Sequence, residues 1–251
     1  MFFSTEAIII SKKDLGEIDL LLELFTPKGK FWTIAKGARK SRKRFVNLLE
    51  EFNIIKAHLR KTSKGKLPIL EKADFIFLPE NIRIDYKKYI FLSYIGEILS
   101  KISSIGGEKT FNFVKSFINL VETNNNFIWL KPYFELNFLK FLGWCPELFR
   151  CVKCGYEPKK IFYFSIPEGG LLCYKCKDDR CEILEANILE ILRILIKMPL
   201  NKLNFLELEK GMDLNRKNKT KILKIAEDFL KFFLLFDINS LKFLKEVLEG
   251  V

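Results

Sequence analysis

Two cysteine pairs in the middle of the chain limit its folding more than any other feature. Residues 141–176 read FLGWCPELFRCVKCGYEPKKIFYFSIPEGGLLCYKC. Cys151 and Cys154 form one Cys-x2-Cys knuckle and Cys173 and Cys176 the other, with eighteen residues between them. Each knuckle aims two sulfurs at one point, so two knuckles offer a tetrahedron of thiolates to one structural Zn²⁺. Two disulfides or ordinary buried thiols are the competing readings; spacing and cysteine usage favour zinc. Four sulfurs fill the coordination shell, so such a site is structural rather than catalytic. Lys153, Lys159, Lys160, Lys175 and Lys177 surround the knuckles and offset the negative charge of the filled site. Cys145 and Cys181 are left over and read as small thiols, not ligands.

A chain of 251 residues with 49% hydrophobic residues buries a core and is not disordered. No apolar run reaches the roughly 18 residues of a membrane span. The opening MFFSTEAIII lacks a basic segment and a small-residue cleavage site, so no signal peptide is expected. The expected location is the cytoplasm, with no membrane partner.

The net charge is +12, and its placement says more than its size. Between residues 28 and 66 there are thirteen Lys and Arg against two Glu, a net of +11. A localised field of that kind points to a polyanion, most often nucleic acid. Its densest part is residues 36–44, where Lys36, Arg39, Lys40, Arg42, Lys43 and Arg44 make six cations in nine residues. Such a run repels itself and stays solvated until phosphates neutralise it. Gly37, Ala38 and Ser41 keep the loop slim. Trp32 and Phe45 are candidates to stack on a base; barrel core is the alternative for each. The single His58 lies on a strand and reads as structural.

Residues before 79 read as five strands, over 3–13, 19–25, 31–36, 48–59 and 67–77, with turns at Thr26-Pro27-Lys28-Gly29 and Lys64-Gly65-Lys66. An OB-like barrel is the small closed form that five such strands make. From Ile82 the apolar period becomes helical. Tyr86, Ile90, Tyr94 and Ile98 make one stripe, and Phe111, Val114, Phe117, Ile118 and Val121 a second. A third helix is expected over 131–142, with Pro132 in its first turn and Gly143 just past its end. Further helices are expected over 183–197, 220–236 and 241–248, with a short element in 200–210. Gly106-Gly107-Glu108-Lys109-Thr110 fails as a phosphate loop, because Glu108 replaces the required glycine and no strand precedes it. The fold class is α+β. An OB domain over 1–79 is followed by an all-α domain over 80–251, with a zinc hook at 145–179.

The order of several short motifs adds a resemblance. Ala7-Ile8-Ile9-Ile10, Asp14-Leu15-Gly16-Glu17, Leu24-Phe25-Thr26 and Lys36-Gly37-Ala38-Arg39 open the chain. Leu142-Gly143-Trp144, Cys151-x2-Cys154-Gly155, Phe164-Ser165 and Gly169-Gly170-Leu171-Leu172-Cys173 follow, then Ser240-Leu241-Lys242-Phe243-Leu244. In this the chain resembles the RecO family of bacterial recombination mediators along nearly its whole length. The resemblance implies binding of single- and double-stranded DNA, annealing of complementary strands and loading of recombinase onto coated strands. It implies RecR and the single-stranded DNA-binding protein as partners, association with the nucleoid, and no bond-breaking chemistry. The acidic, apolar-ended tail of the second partner is expected on the helix 131–142, at Lys131, Tyr133, Leu136 and Lys140. An RNA- or tRNA-binding OB protein is the alternative. A zinc hydrolase is disfavoured by one histidine and an all-sulfur site.

Overall fold

The structure is a computed structural model of the chain that describes residues 1–63, 66–102, 105–202 and 215–249. The expected turn at Lys64-Gly65-Lys66 and the expected element past residue 202 lie outside the described residues, wholly or in part; Leu200–Lys202 is a short 3-10 turn.

Five strands close a barrel: β1 (Phe2–Leu15), β2 (Asp19–Thr26), β3 (Gly29–Ala35), β4 (Ile54–Arg60) and β5 (Ile69–Phe77), in the order β1-β2-β3-β5-β4. The long β1 closes the ring by pairing with β4 through its first half and with β2 through its second; Ile8 faces both Phe25 and Ile54. The β3–β5 contact, Ile34 with Ile69, is parallel, and the other pairs are antiparallel. Inward Ala7, Ile9, Leu22, Leu24, Ile55, Ala57, Leu59 and Leu70 are buried in one cluster. This is the expected OB-like barrel, with one correction. Residues 48–53 are turns, not the start of a strand. Asn47 (φ 56°) and Phe52 (φ 68°) are left-handed, which a strand does not accommodate.

The remaining elements are α1 (Glu80–Ile84), α2 (Tyr86–Lys101), α3 (Glu108–Thr123), α4 (Phe127–Phe141), β6 (Phe162–Ser165), β7 (Gly170–Leu172), β8 (Glu182–Leu184), α5 (Ala186–Lys197), α6 (Arg216–Leu234) and α7 (Leu241–Glu249). Packing divides the chain into Met1–Asn125 with Ile238–Val251, and Asn126–Asp237. These packing units cut across the sequence domains expected over 1–79 and 80–251. The helices α1 to α3 pack with the barrel: the Phe111 ring of α3 lies 5.6 Å from Phe25, and Gly96 of α2 sits against the Phe52 ring. Glu122 of α3 caps α1, accepting from the Asn81 and Ile82 N–H groups at 2.7 and 3.1 Å. The change of period at residue 80 marks the end of strand-forming sequence, whereas an apolar helix stripe packs on whatever surface covers it.

In the second unit, α4 lies against α5 and α6, and β6 carries Phe164 against Phe229 of α6 at 6.1 Å. The helix α4 starts four residues earlier than expected, so Pro132 lies inside it and not in its first turn. Buried Phe127, Trp129 and Leu130 extend the helix backwards. Gly143 (φ 88°) follows the C-cap as expected. The expected helix over 183–197 begins only at Ala186, because Glu182–Leu184 pairs with β6 in a small sheet of order β7-β6-β8.

Candidate nucleic-acid interface and metal centre

The basic run lies between β3 and β4, and its shape follows from how it is anchored. Gly37 turns the chain out of β3 in the left-handed region (φ 64°), and its N–H donates to Asp19 Oδ1 at 2.7 Å. Ala38–Lys40 makes one 3-10 turn. Ser41 Oγ then accepts from the N–H groups of Arg44 and Phe45 at 3.1 and 3.2 Å. Ala38, Phe45 and Leu49 point into the barrel cluster. The buried Asn53 amide closes the loop on the carbonyls of Asn47 and Leu48 at 3.0 and 2.8 Å, and its Oδ1 accepts from Arg83 at 2.6 Å. A slim basic loop is therefore pinned at both ends and plugged into the barrel.

All six predicted cations, Lys36, Arg39, Lys40, Arg42, Lys43 and Arg44, are exposed. Two are held in place. Arg39 donates to the Gly16 carbonyl at 3.2 Å and pairs with Asp14 at 3.4 Å. Arg44 donates to the Lys36 carbonyl and covers the Phe45 ring at 4.5 Å. Lys36, Lys40, Arg42 and Lys43 have no carboxylate partner among the described residues. A polyanion meeting this loop has few ion pairs to displace.

The aromatic candidates separate. Phe45 is buried and offers no face to a base. Trp32 is half-buried on β3, outside the barrel's core cluster, with the Lys13 ammonium 5.0 Å from its ring centre. Sequence reasoning missed Asp19, Ser41 and Asn53, which shape the loop without touching a ligand. The Ser41-x2-Arg44 spacing, which suits a side-chain-capped turn, was a usable signal for one of them. His58 links strands: Ser4 Oγ lies 2.8 Å from Nδ1 and Asp74 Oδ2 2.7 Å from Nε2, a ladder across β1, β4 and β5.

The cysteines converge as spacing predicts. The ligand atoms of Cys151, Cys154, Cys173 and Cys176 all lie within 4.8 Å of one another, and Cys154 and Cys173 are 3.6 Å apart. A tetrahedron with metal–sulfur bonds of about 2.3 Å has sulfurs about 3.8 Å apart. All six cysteines are free, so the disulfide reading does not hold. Hydrogen-bonded turns form both knuckles: the Gly155 N–H donates to the Cys151 carbonyl at 2.8 Å, and the Cys176 N–H to the Cys173 carbonyl at 3.0 Å. β7 holds them together, and Gly170 is required there, because a Cβ would come within 2.4 Å of the Glu147 carbonyl. Burial opposes the Cys151 thiolate, yet backbone N–H groups of Cys173, Cys154 and Lys153 draw its pKa down to about 6. Hydrogen bonds with the Cys173 and Cys154 sulfurs, and then burial, push Cys176 up to about 12. Sulfurs this close cannot all ionise alone. A divalent cation removes that conflict, so the donor set suits a thiophilic metal. Cys181 packs against this cluster but is engaged with Asp178, at 3.4 Å from both its N–H and its Oδ1.

Two family models match the chain: Recombination protein O N terminal over residues 1–78, and Recombination protein O C terminal over residues 83–242. The chain belongs to the recombination protein O family. It is 30% identical over 249 residues to the DNA repair protein RecO of Caldanaerobacter subterraneus subsp. tengcongensis, covering 96% of this chain and 97% of that protein. The RecO of Thermoanaerobacter sp. is 28% identical over 251 residues, 97% of each chain. That of Syntrophus aciditrophicus is 32% identical over 177 residues, 68% of each.

The site expected for the tail of the single-stranded DNA-binding protein needs correction. Lys131, Tyr133 and Leu136 are interior residues of α4. Lys131 pairs with Glu135 at 2.7 Å and Glu227 at 3.2 Å. Tyr133 donates to the Met198 carbonyl at 3.0 Å, and burial raises its pKa to about 12. Lys140 is exposed and donates to the Ile196 carbonyl at 3.1 Å. This helix is the core of its unit, so Lys131, Tyr133 and Leu136 offer no docking face for a tail, and of the four only Lys140 reaches the surface. No helix among the described residues is long and apolar enough to cross a membrane.

Proposed function

We propose that the protein is a non-catalytic DNA-repair mediator that binds single- and double-stranded DNA through the 36–44 loop and the neighbouring barrel wall. The observation that carries this reading is six exposed cations on a loop anchored in the barrel by Ala38, Phe45 and Leu49. Lys36, Arg39, Lys40, Arg42, Lys43 and Arg44 neutralise phosphates and release the counterions condensed on them, which makes binding sequence-tolerant and salt-dependent. Trp32 offers a ring on which an unpaired base stacks. Two complementary strands neutralised on this protein lose their mutual repulsion and pair. Annealing thus needs no nucleotide hydrolysis.

Family membership supports the wider role: loading recombinase onto coated single strands together with RecR and the single-stranded DNA-binding protein, at the nucleoid in the cytoplasm. The four cysteines hold one Zn²⁺ in a structural role, fixing the hook by replacing a hydrophobic core too small to form there. The test is annealing of two labelled complementary strands without ATP, with and without a single-stranded DNA-binding protein coat. Faster annealing in both arms is expected. No acceleration, or preferential binding of matched RNA over DNA in competition, overturns the reading.

A further inference from the structure

In the unit Asn126–Asp237, a cleft opens between the C-terminal turn of α5 and the loop that leads into the first knuckle. It has a volume of about 500 Å³, within the size range of small-ligand sites. Its wall is Phe149, 36% exposed. The Arg193 guanidinium lies 4.9 Å and the Lys197 ammonium 4.0 Å from the centre of that ring, and Lys202 is at the rim. Arg193 is fixed by donating to the Leu148 carbonyl at 2.8 Å and by Glu190 at 3.5 Å. Lys197 and Lys202 are exposed and have no carboxylate partner among the described residues. The negative end of α5 is muted here: Asn137 donates to the Leu195 carbonyl, Lys140 to that of Ile196 and Tyr133 to that of Met198.

We infer that this cleft is a second nucleic-acid site, taking one nucleotide of a strand with its base beside Phe149 and its phosphate on Lys197 and Lys202. This rests on the reading of the protein as a DNA binder. A flat wall of aromatic ring and guanidinium stacks a planar base. Two exposed ammonium groups, one of them over the Phe149 ring, neutralise a phosphodiester. An acidic peptide uses the ammonium groups but gains little from the flat wall, so a nucleotide is the better match. The consequence is functional. With one strand on the 36–44 loop and a second held here, a single chain holds both partners of an annealing reaction.

The test uses the full chain and an oligonucleotide carrying 5-iodouracil, which crosslinks to nearby aromatic rings on irradiation, with the products mapped by mass spectrometry. Crosslinks to the peptide containing Phe149 are expected. The double variant Lys197→Glu, Lys202→Glu should lose them about tenfold, with the circular dichroism spectrum and the crosslinks near Trp32 unchanged. Phe149→Leu, which keeps an apolar side chain, should slow annealing about tenfold while the crosslinks near Trp32 persist. Crosslinks confined to the barrel, with annealing normal in both variants, overturn the cleft site and leave the proposed function standing. Absence of any oligonucleotide binding overturns both. If a labelled acidic peptide with a C-terminal phenylalanine crosslinks to the cleft while the oligonucleotide does not, the site belongs to a protein partner and the inference fails.

Discussion

The 36–44 loop and the cysteine hook are both irregular, lysine-rich segments, but they are held by different physics. The loop is held by burial: Ala38, Phe45 and Leu49 sit in the barrel cluster while every cation stays outside. The hook is drawn together by four sulfurs, whose buried cluster adds Tyr163 and Leu172, while Phe164 packs on Phe229 of α6. An anchor made of burial needs an existing scaffold and then leaves the rest of the segment free for a ligand. An anchor made of thiolates creates its own scaffold, at the cost of dependence on a metal.

The largest expected effect breaks the hook alone. Cys151→Ser, or chelation of the metal, should cost the hook several kcal/mol, because ligand capture and folding are coupled there. Amide exchange over 145–179 should accelerate while the five barrel strands keep their protection. Equal acceleration in the barrel would show that the two anchors are not independent. Less than about half an equivalent of metal in carefully reduced protein would remove the thiolate anchor altogether.

Phe45→Ala is the matching test of the other anchor. Truncating a buried phenylalanine costs about 3–4 kcal/mol, read from denaturant unfolding. DNA binding should weaken although every cation remains, because the loop loses its plug. Unchanged binding would mean that the charges act without a defined loop shape.

A third anchor is ionic, and it sharpens the contrast through pH. Glu97 of α2 holds the start of α7, accepting from the Asn239 and Ser240 N–H groups at 2.8 and 2.7 Å and from the Ser240 hydroxyl, and pairing with Lys101 at 2.6 Å. Burial works against its charge, but these partners lower its pKa from 4.5 to about 2. The folded state therefore binds the proton more weakly than the unfolded state. The stabilisation is complete above pH 4.5 and disappears as pH falls toward 2. Glu97→Gln should cost about 1–2 kcal/mol at neutral pH, and the difference from wild type should close across that window. A difference that persists at pH 2 would point to packing and not charge.

The smallest effect on stability should come from the loop cations. Replacing Arg39, Arg42 and Arg44 together by Ala should change unfolding by under about 1 kcal/mol, since exposed charges contribute little to folding. The same variant should flatten log K against log salt by about 2–3. A large loss of stability with an unchanged slope would reverse the roles assigned to burial and charge.

Local pattern made much of this protein legible in advance. Short apolar runs bounded by turn residues marked most of β1 to β5, the helical stripes of α2 and α3 were visible, and the paired Cys-x2-Cys spacing named the sulfurs that meet. The density of the cationic run placed it outside any core, since like charges do not pack. Tertiary structure alone decided which surfaces those patterns met. Phe45 lies next to Arg44, yet one is buried and the other exposed, because the barrel cluster accepts only the ring. Lys131 looked like a rim cation and is interior, paired with Glu227, which lies 96 residues away in sequence. In α4 nearly every position is covered, so its sequence has no polar side from which to read orientation. Periodicity records that an element has an apolar face. Which neighbour covers that face, and whether a charge finds its counter-ion inside, depends on contacts between residues far apart in the chain.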